Sequence, residues 1–308
     1  MRAAVIDVGS NSIKLLVAER GGDGALLEVG SRTLEVRISK GLGQEEPRLG
    51  PEGMASGLEA IASLAAEAKA LAAVHITAVA TSAVRDASNG REFGEQIAAA
   101  TGIELRILTG LEEANLIGGG ITTDPALLGL RDFSLFDLGG GSLECLAFEG
   151  RAVKRMVSLP LGCVRLTERF VPDSTRALDD DAALKIDQHI REEFARSSFP
   201  FPLPPLSGVV GTGGTLTTAR AIAAARGGQT LLLSSPLIGI PYLQNLLGEV
   251  APLDLAARRL IPGLPPGRAD VFPAALVTLL ALAELGGIRE YHHSLRNLRW
   301  GVAAEILS

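Results

Sequence analysis

Asp137, Gly139, Gly140, Gly141 and Ser142 stand together in the stretch SLFDLGGGSLECLAFE (134–149), where one apolar run stops and another resumes. That spacing predicts a hairpin whose turn can touch a phosphate. Glycines allow positive φ and let the backbone approach a ligand with no Cβ in the way. Successive turn N–H groups then form a concave anion site. Asp137, at the end of the first strand, can hold a divalent cation or a cation's water beside the phosphate.

The same signature occurs once more. Residues 4–19, AVIDVGSNSIKLLVAE, align with 134–149 at a constant offset of 130, pairing Asp7 with Asp137, Gly9 with Gly139, Ser12 with Ser142, Leu16 with Leu146 and Glu19 with Glu149. Ala80-Thr81-Ser82-Ala83 precedes Gly211-Thr212-Gly213-Gly214 by 131 positions, each after an apolar run and before a helical pattern. Two echoes at one spacing point to a duplicated domain, since a solenoid repeats every ~20–50 residues. The expected arrangement is two α/β domains, residues 1–122 and 123–308, whose phosphate hairpins face a cleft, with a closing helix at 295–308 that packs back on the first. Hinge closure suits two similar lobes around a ligand.

Composition agrees with a globular two-domain chain. The 308 residues suffice for two cores, and 36 glycines exceed the usual ~7 per cent, much of the excess falling in these turns. The apolar run 273–283 is too short for the ~20 residues of a membrane span. The chain enters a strand at once, without a basic signal-like start, and Cys145 and Cys163 are its only cysteines. A cytoplasmic protein is expected. A net charge of −6 argues against DNA binding without excluding a polyanionic substrate, for which a metal and local basic residues can set the field.

Around the motifs the pattern reads βββαβαβα in the first half. After the first hairpin come a strand in 26–39, a Gly-rich loop with Lys40 and Gly41, and a helix from Pro51 with Met54, Leu58, Ile61, Leu64, Ala68 and Leu71 on one face. A buried strand (75–81), a helix (86–100), a strand (103–108) and a helix (110–120) follow. The second half restarts with strands near 133–138, 143–149 and 152–158, then a helix at 178–197, a Pro-rich link, the strand GVVG and a helix begun by Gly213 and Gly214, where a backbone can approach an anion. The remainder reads as mainly helical, with Asp270 as the N-cap of 271–285.

On DVGSNSIKLLV (7–17), ATSAVRDASN (80–89), TGLEEANLI (109–117), DLGGGSLE (137–144), SLPLGCVRLTERF (158–170) and GTGGT (211–215), the chain resembles the exopolyphosphatase and guanosine pentaphosphate phosphohydrolase (Ppx/GppA) family, in its short two-domain form. The resemblance implies two actin-like (ribonuclease H-like) domains and magnesium-dependent hydrolysis of a terminal phosphate. It also implies that Glu113 is the base, and makes a homodimer plausible.

The residues suit that chemistry on their own. Phosphoanhydride hydrolysis needs neutralised phosphoryl oxygens, an aligned water and little covalent help. Asp7, Asp137 and Glu144 offer oxygen ligands for Mg²⁺ or another divalent cation. The turn groups of Gly9, Ser10, Asn11 and Ser12, and of Gly139 to Ser142, together with Gly211, Thr212, Gly213 and Gly214, are the candidate phosphate contacts. Glu113 can orient or deprotonate water, and Arg85 can clamp an outer phosphate or pair with a structural carboxylate. Arg37 and Lys40 read more readily as loop charges than as substrate contacts, and the four histidines lack metal-ligand spacing. Asn115 stands where the family carries Arg. No GxxxxGK[ST] occurs, which excludes a P-loop. The expected substrate is inorganic polyphosphate, with pppGpp as the alternative, and a superfamily kinase, ATPase or silent sensor behind both.

Overall fold

Residues 2–34 run as three antiparallel strands because apolar side chains alternate on both faces: β1 (Arg2–Val8), β2 (Ile13–Arg20) and β3 (Leu26–Leu34). The computed structural model describes residues 1–39, 47–204 and 208–308. The loop expected to carry Lys40 and Gly41 falls outside the described residues.

Proline at the N-terminal turn starts α1 (Pro51–Ala70), which buries Met54, Ile61, Leu64 and Ala68. After β4 (His75–Ala80) comes a short α2 (Ser82–Arg85), and the helix expected over 86–100 starts later, as α3 (Gly90–Thr101), closed by Gly102 at φ 72°. A short β5 (Leu105–Ile107) leads to α4 (Gly110–Thr122). Thr109 and Glu112 form a reciprocal capping box at its start.

The second half repeats the plan with β6 (Phe133–Leu138), β7 (Leu143–Glu149) and β8 (Ala152–Leu159). Then come α5 (Cys163–Phe170), α6 (Asp180–Arg196, capped by the Asp179 carboxylate), β9 (Gly208–Thr212) and α7 (Gly214–Arg226). Two short strands, β10 (Leu237–Gly239) and β11 (Glu290–His293), interrupt what reads as a helical remainder of α8 (Ile240–Val250), α9 (Leu255–Arg258) and α10 (Phe272–Gly286). Asp270 does not cap α10. Val271 holds the N-cap position and Pro273 the first turn, so the N–H groups need no side-chain acceptor. The closing helix α11 starts at Leu298, with Asn297 at its N-cap.

The sheets share one topology, β3-β2-β1-β4-β5 in the first and β10-β11-β9-β6-β7-β8 in the second. Both are antiparallel through three strands and parallel through the next two, and the second adds β10 as an antiparallel edge strand on β11. The duplication extends to defects: a register shift falls between Val17 and Ala18 and again, at the same offset of 130, between Ala147 and Phe148.

One unit is Met1–Gly129 with Arg296–Ser308 and the other Leu130–Leu295, so the division falls after Gly129 and not after residue 122. Asp124 caps a 3-10 turn (Pro125–Leu127) that buries Leu127, and this keeps 123–129 with the first unit. In the first unit the face of Ile6, Val8, Ile13 and Leu15 packs with α1 and α3 residues. α11 packs on α4, β1 and β2. In the second unit Phe136, Leu138, Leu143 and Cys145 join a core built with α5, α6, α7, α8 and α10. No helix among the described residues is long and apolar enough to cross a membrane.

Candidate active site

In each unit the candidate residues gather where parallel strands end. In the first, Thr81 N donates to Val8 O and Leu108 N to Ala80 O, which draws the segments after β1, β4 and β5 to one edge. That edge carries the turn Gly9–Ser12, Arg85 and Glu113. In the second, Asp137 pairs in register with Thr212 and with Glu144, joining the glycine turn to Gly211–Gly214.

Both turns close alike, with Gly9 N donating to Ser12 O at 3.2 Å and Gly139 N to Ser142 O at 3.0 Å. The expectation of positive φ at Gly139, Gly140 and Gly141 is not met; Gly213 carries it instead, at 95°. The turn glycines serve closeness. A Cβ at Gly139 would lie 3.2 Å from Ser142 O, and one at Gly162 would fall 2.3 Å from the Gly141 backbone. At Gly213 a Cβ would meet Asp137 Oδ1 at 2.6 Å, so the GTGGT segment abuts the candidate carboxylate directly.

The hairpins differ in charge at one informative position. In the second, Asp137 faces Glu144, and both are buried, at 6 and 1 per cent exposed. Ser158 on β8 donates its hydroxyl to Glu144 Oε1 at 2.8 Å. In the first, Asp7 faces Lys14. Burial raises the Asp7 pKa above the ordinary carboxylate value, opposed by Lys14 and Arg299. Lys14 holds the repeat position of Glu144 within the aligned stretches 4–19 and 134–149, so the difference is present in the sequence.

No group of three or more His, Cys, Asp or Glu side chains able to hold a metal lies together among the described residues. Within the second unit Asp137 and Glu144 form a two-carboxylate pair, which fits Mg²⁺, an ion that keeps waters and shares its shell with substrate phosphates.

Glu113, 6 per cent exposed in the first turn of α4, accepts from Arg85 Nη1 at 2.8 Å. Arg85 also donates to Leu108 O and lies 3.4 Å from Asp86, so its guanidinium is set on the candidate base. Arg37 Nε donates to Asn11 Oδ1 at 3.1 Å. It therefore braces the first turn and is more than a solvated loop charge. Burial and the neighbouring Glu144 push the Cys145 thiol well up, as suits a packed thiol. Sequence reasoning did not place Arg268, whose guanidinium lies against Gly214: a Cβ there would meet Nη1 at 2.1 Å.

The amino-acid sequence matches the Ppx/GppA phosphatase family over residues 16–308. It is 31% identical over 322 residues to exopolyphosphatase 2 of Mycobacterium tuberculosis (strain ATCC 25618 / H37Rv), covering 99% of this chain and 98% of that protein. It is 29% identical over 310 residues to the guanosine-5'-triphosphate,3'-diphosphate pyrophosphatase of Vibrio vulnificus (strain YJ016). That match covers 99% of this chain but only 59% of the relative's length. Among solved structures, an exopolyphosphatase from Cytophaga hutchinsonii ATCC 33406 superposes with a TM-score of 0.87 at 23% identity, over 100% of this chain and 98% of that one. At that identity the likeness is one of fold.

Proposed function

We propose that this chain, which belongs to the Ppx/GppA phosphatase family, hydrolyses the terminal phosphoanhydride of inorganic polyphosphate and releases orthophosphate in the cytoplasm. The observation that carries the reading is the pair Asp137 and Glu144, buried side by side beside a glycine turn and against Gly213. Asp137 and Glu144 would hold Mg²⁺, which supplies charge neutralisation at the phosphoryl oxygens. Asp7 already faces Lys14 and Arg299, which leaves the metal to the second unit's pair and an anion-binding role to the first hairpin. Glu113 orients the water and takes its proton as the water oxygen attacks the terminal phosphorus, and the bridging oxygen leaves with the shortened chain.

Cleavage of pppGpp is the second reading, because the same site chemistry serves and the Vibrio relative bears that name. A nucleotide kinase would need an adenosine pocket beside Gly211–Gly214. The guanidinium of Arg268 against Gly214 weighs against it.

Orthophosphate release should be measured side by side on long polyphosphate, short polyphosphate, pppGpp and ATP, with Mg²⁺ and after chelation. Fastest Mg²⁺-dependent release from polyphosphate is expected. Preference for pppGpp selects the second reading, and turnover of ATP alone ends both.

A further inference from the structure

Both phosphate turns are tied from behind by the segment that follows the third strand of their unit. In the second unit, the first N–H groups of α5 point at the turn: Cys163 N donates to Gly139 O at 3.0 Å, and Val164 N and Arg165 N to Gly140 O at 2.8 and 3.2 Å. Arg165 Nε adds a bond to Gly141 O at 2.9 Å. Three consecutive carbonyls are thus occupied on one side, and the contact is so close that only glycine fits at 162.

The first unit repeats the device with other residues. Ser39 N donates to Ser10 O at 3.3 Å, Arg37 N to Asn11 O at 3.0 Å, and Arg37 Nε to the Asn11 side chain at 3.1 Å. Arg37 holds a left-handed φ of 47°, unusual for a residue with a Cβ, and presents its backbone N–H and Nε to Asn11.

A planar trans peptide points its C=O and the following N–H in opposite directions. Fixing the carbonyls of 139, 140 and 141 rearward therefore aims the N–H groups of Gly140, Gly141 and Ser142 away from α5. Fixing those of 10 and 11 aims the N–H groups of Asn11 and Ser12 in the same sense within the first unit. Resting on the phosphohydrolase reading, we infer that the Arg165 and Arg37 side chains are positioning groups that complete two preformed phosphate nests: Arg165 Nε holds Gly141 O and so aims the Ser142 N–H, and Arg37 Nε holds the Asn11 side chain within the first turn, the other carbonyls being held by backbone N–H groups. An unfixed glycine turn would sample orientations that lose these donors.

The test is Arg165→Met, with Arg165→Lys as the conservative variant and Arg37→Met as the independent one in the other unit. Two readouts are needed: kcat and KM on polyphosphate, and the orthophosphate concentration that half-saturates the rise in Tm. Losing a bond that orients charged-ligand contacts should raise KM and the half-saturating phosphate ~10-fold, with kcat changed less than about threefold and the ligand-free Tm unchanged. Arg165→Lys should fall between. If Arg165→Met does not fold, Arg37→Met is read in the same way.

Unchanged KM and phosphate response in the Met variants would overturn the inference. So would a fall in ligand-free Tm and kcat with KM unmoved, which marks packing alone. Wild-type protein that neither releases phosphate nor responds to it would instead end the phosphohydrolase reading itself.

Discussion

Arg85 Nη1 donates to Glu113 Oε2 at 2.8 Å and to Leu108 O at 3.0 Å, so the carboxylate best placed to act on water carries a cation fixed beside it. A charge-assisted contact of this kind fixes the orientation of the carboxylate. Glu113→Gln should remain folded and lose ~10²–10⁴ in rate. Arg85→Gln should lower kcat about tenfold with KM little changed, because the candidate base loses the cation that fixes its orientation. A variant with a raised KM and an unmoved kcat would mean that Arg85 clamps phosphate instead.

The Ser158 hydroxyl on Glu144 makes a second prediction, one about metal. Hydrogen bonds behind a carboxylate ligand orient it, and their loss typically costs ~10–100-fold in metal affinity. Ser158→Ala should shift the Mg²⁺ half-saturation of activity upward by about tenfold, and weaken direct Mn²⁺ binding measured by electron spin resonance to the same degree. Equal Mn²⁺ binding in wild type, Ser158→Ala and Glu144→Gln would show that the cation sits elsewhere.

Why these partners had to be seen and the hairpins did not is a matter of range. The offset between Asp7 and Asp137 is a sequence quantity, and with it came both β-hairpins, the helix after each GTGG-like turn and the α/β class. Strand register puts Lys14 opposite Asp7, and Lys14 lies inside the aligned stretches 4–19 and 134–149, where it stands against Glu144. Ser158 on Glu144 and Arg165 behind Gly141 are tertiary choices by side chains 14 and 24 residues away, with no local pattern to announce them. β10 and β11 escaped because three- and four-residue strands carry too few alternations to outweigh the helical runs on either side. The glycines of the turn were read for freedom in φ and for the lack of a Cβ, and of the two it is the second that their surroundings use.

Asp7 is buried with its pKa raised by desolvation, and Lys14 and Arg299 offset this in part. The folded state therefore keeps the proton to higher pH than the unfolded chain, whose value is near 3.8. Stability must fall as pH rises through the window above that value. Asp7→Asn should remove this slope and raise Tm at pH 7; each ~1 kcal/mol appears as about 2–4 °C in a chain segment of this size. Lys14→Met should act oppositely, lowering Tm at pH 7 by removing an opposing cation. Thermal scans from pH 4 to 8 decide it, and a pH-independent difference between wild type and Asp7→Asn would contradict the assignment.

His293 gives the opposite sign. It ends β11 with its Nε2 3.1 Å from the Thr217 hydroxyl, and that hydroxyl already donates to Gly213 O. The ring must therefore donate from Nε2 and remain neutral, with Nδ1 buried and unbonded among the described residues. Burial, with the charge of Arg220 nearby, pushes its pKa down to about 3. The unfolded chain protonates this ring near pH 6.5, so stability is fully present above that value and is lost as pH falls toward 3. By pH 4.5 the loss amounts to about 2–3 kcal/mol. Urea unfolding at pH 7 and pH 4.5 should show that extra loss in wild type relative to His293→Gln, whose side-chain amide cannot titrate. Equal losses in the two proteins would place the acid sensitivity in other groups and leave His293 as packing.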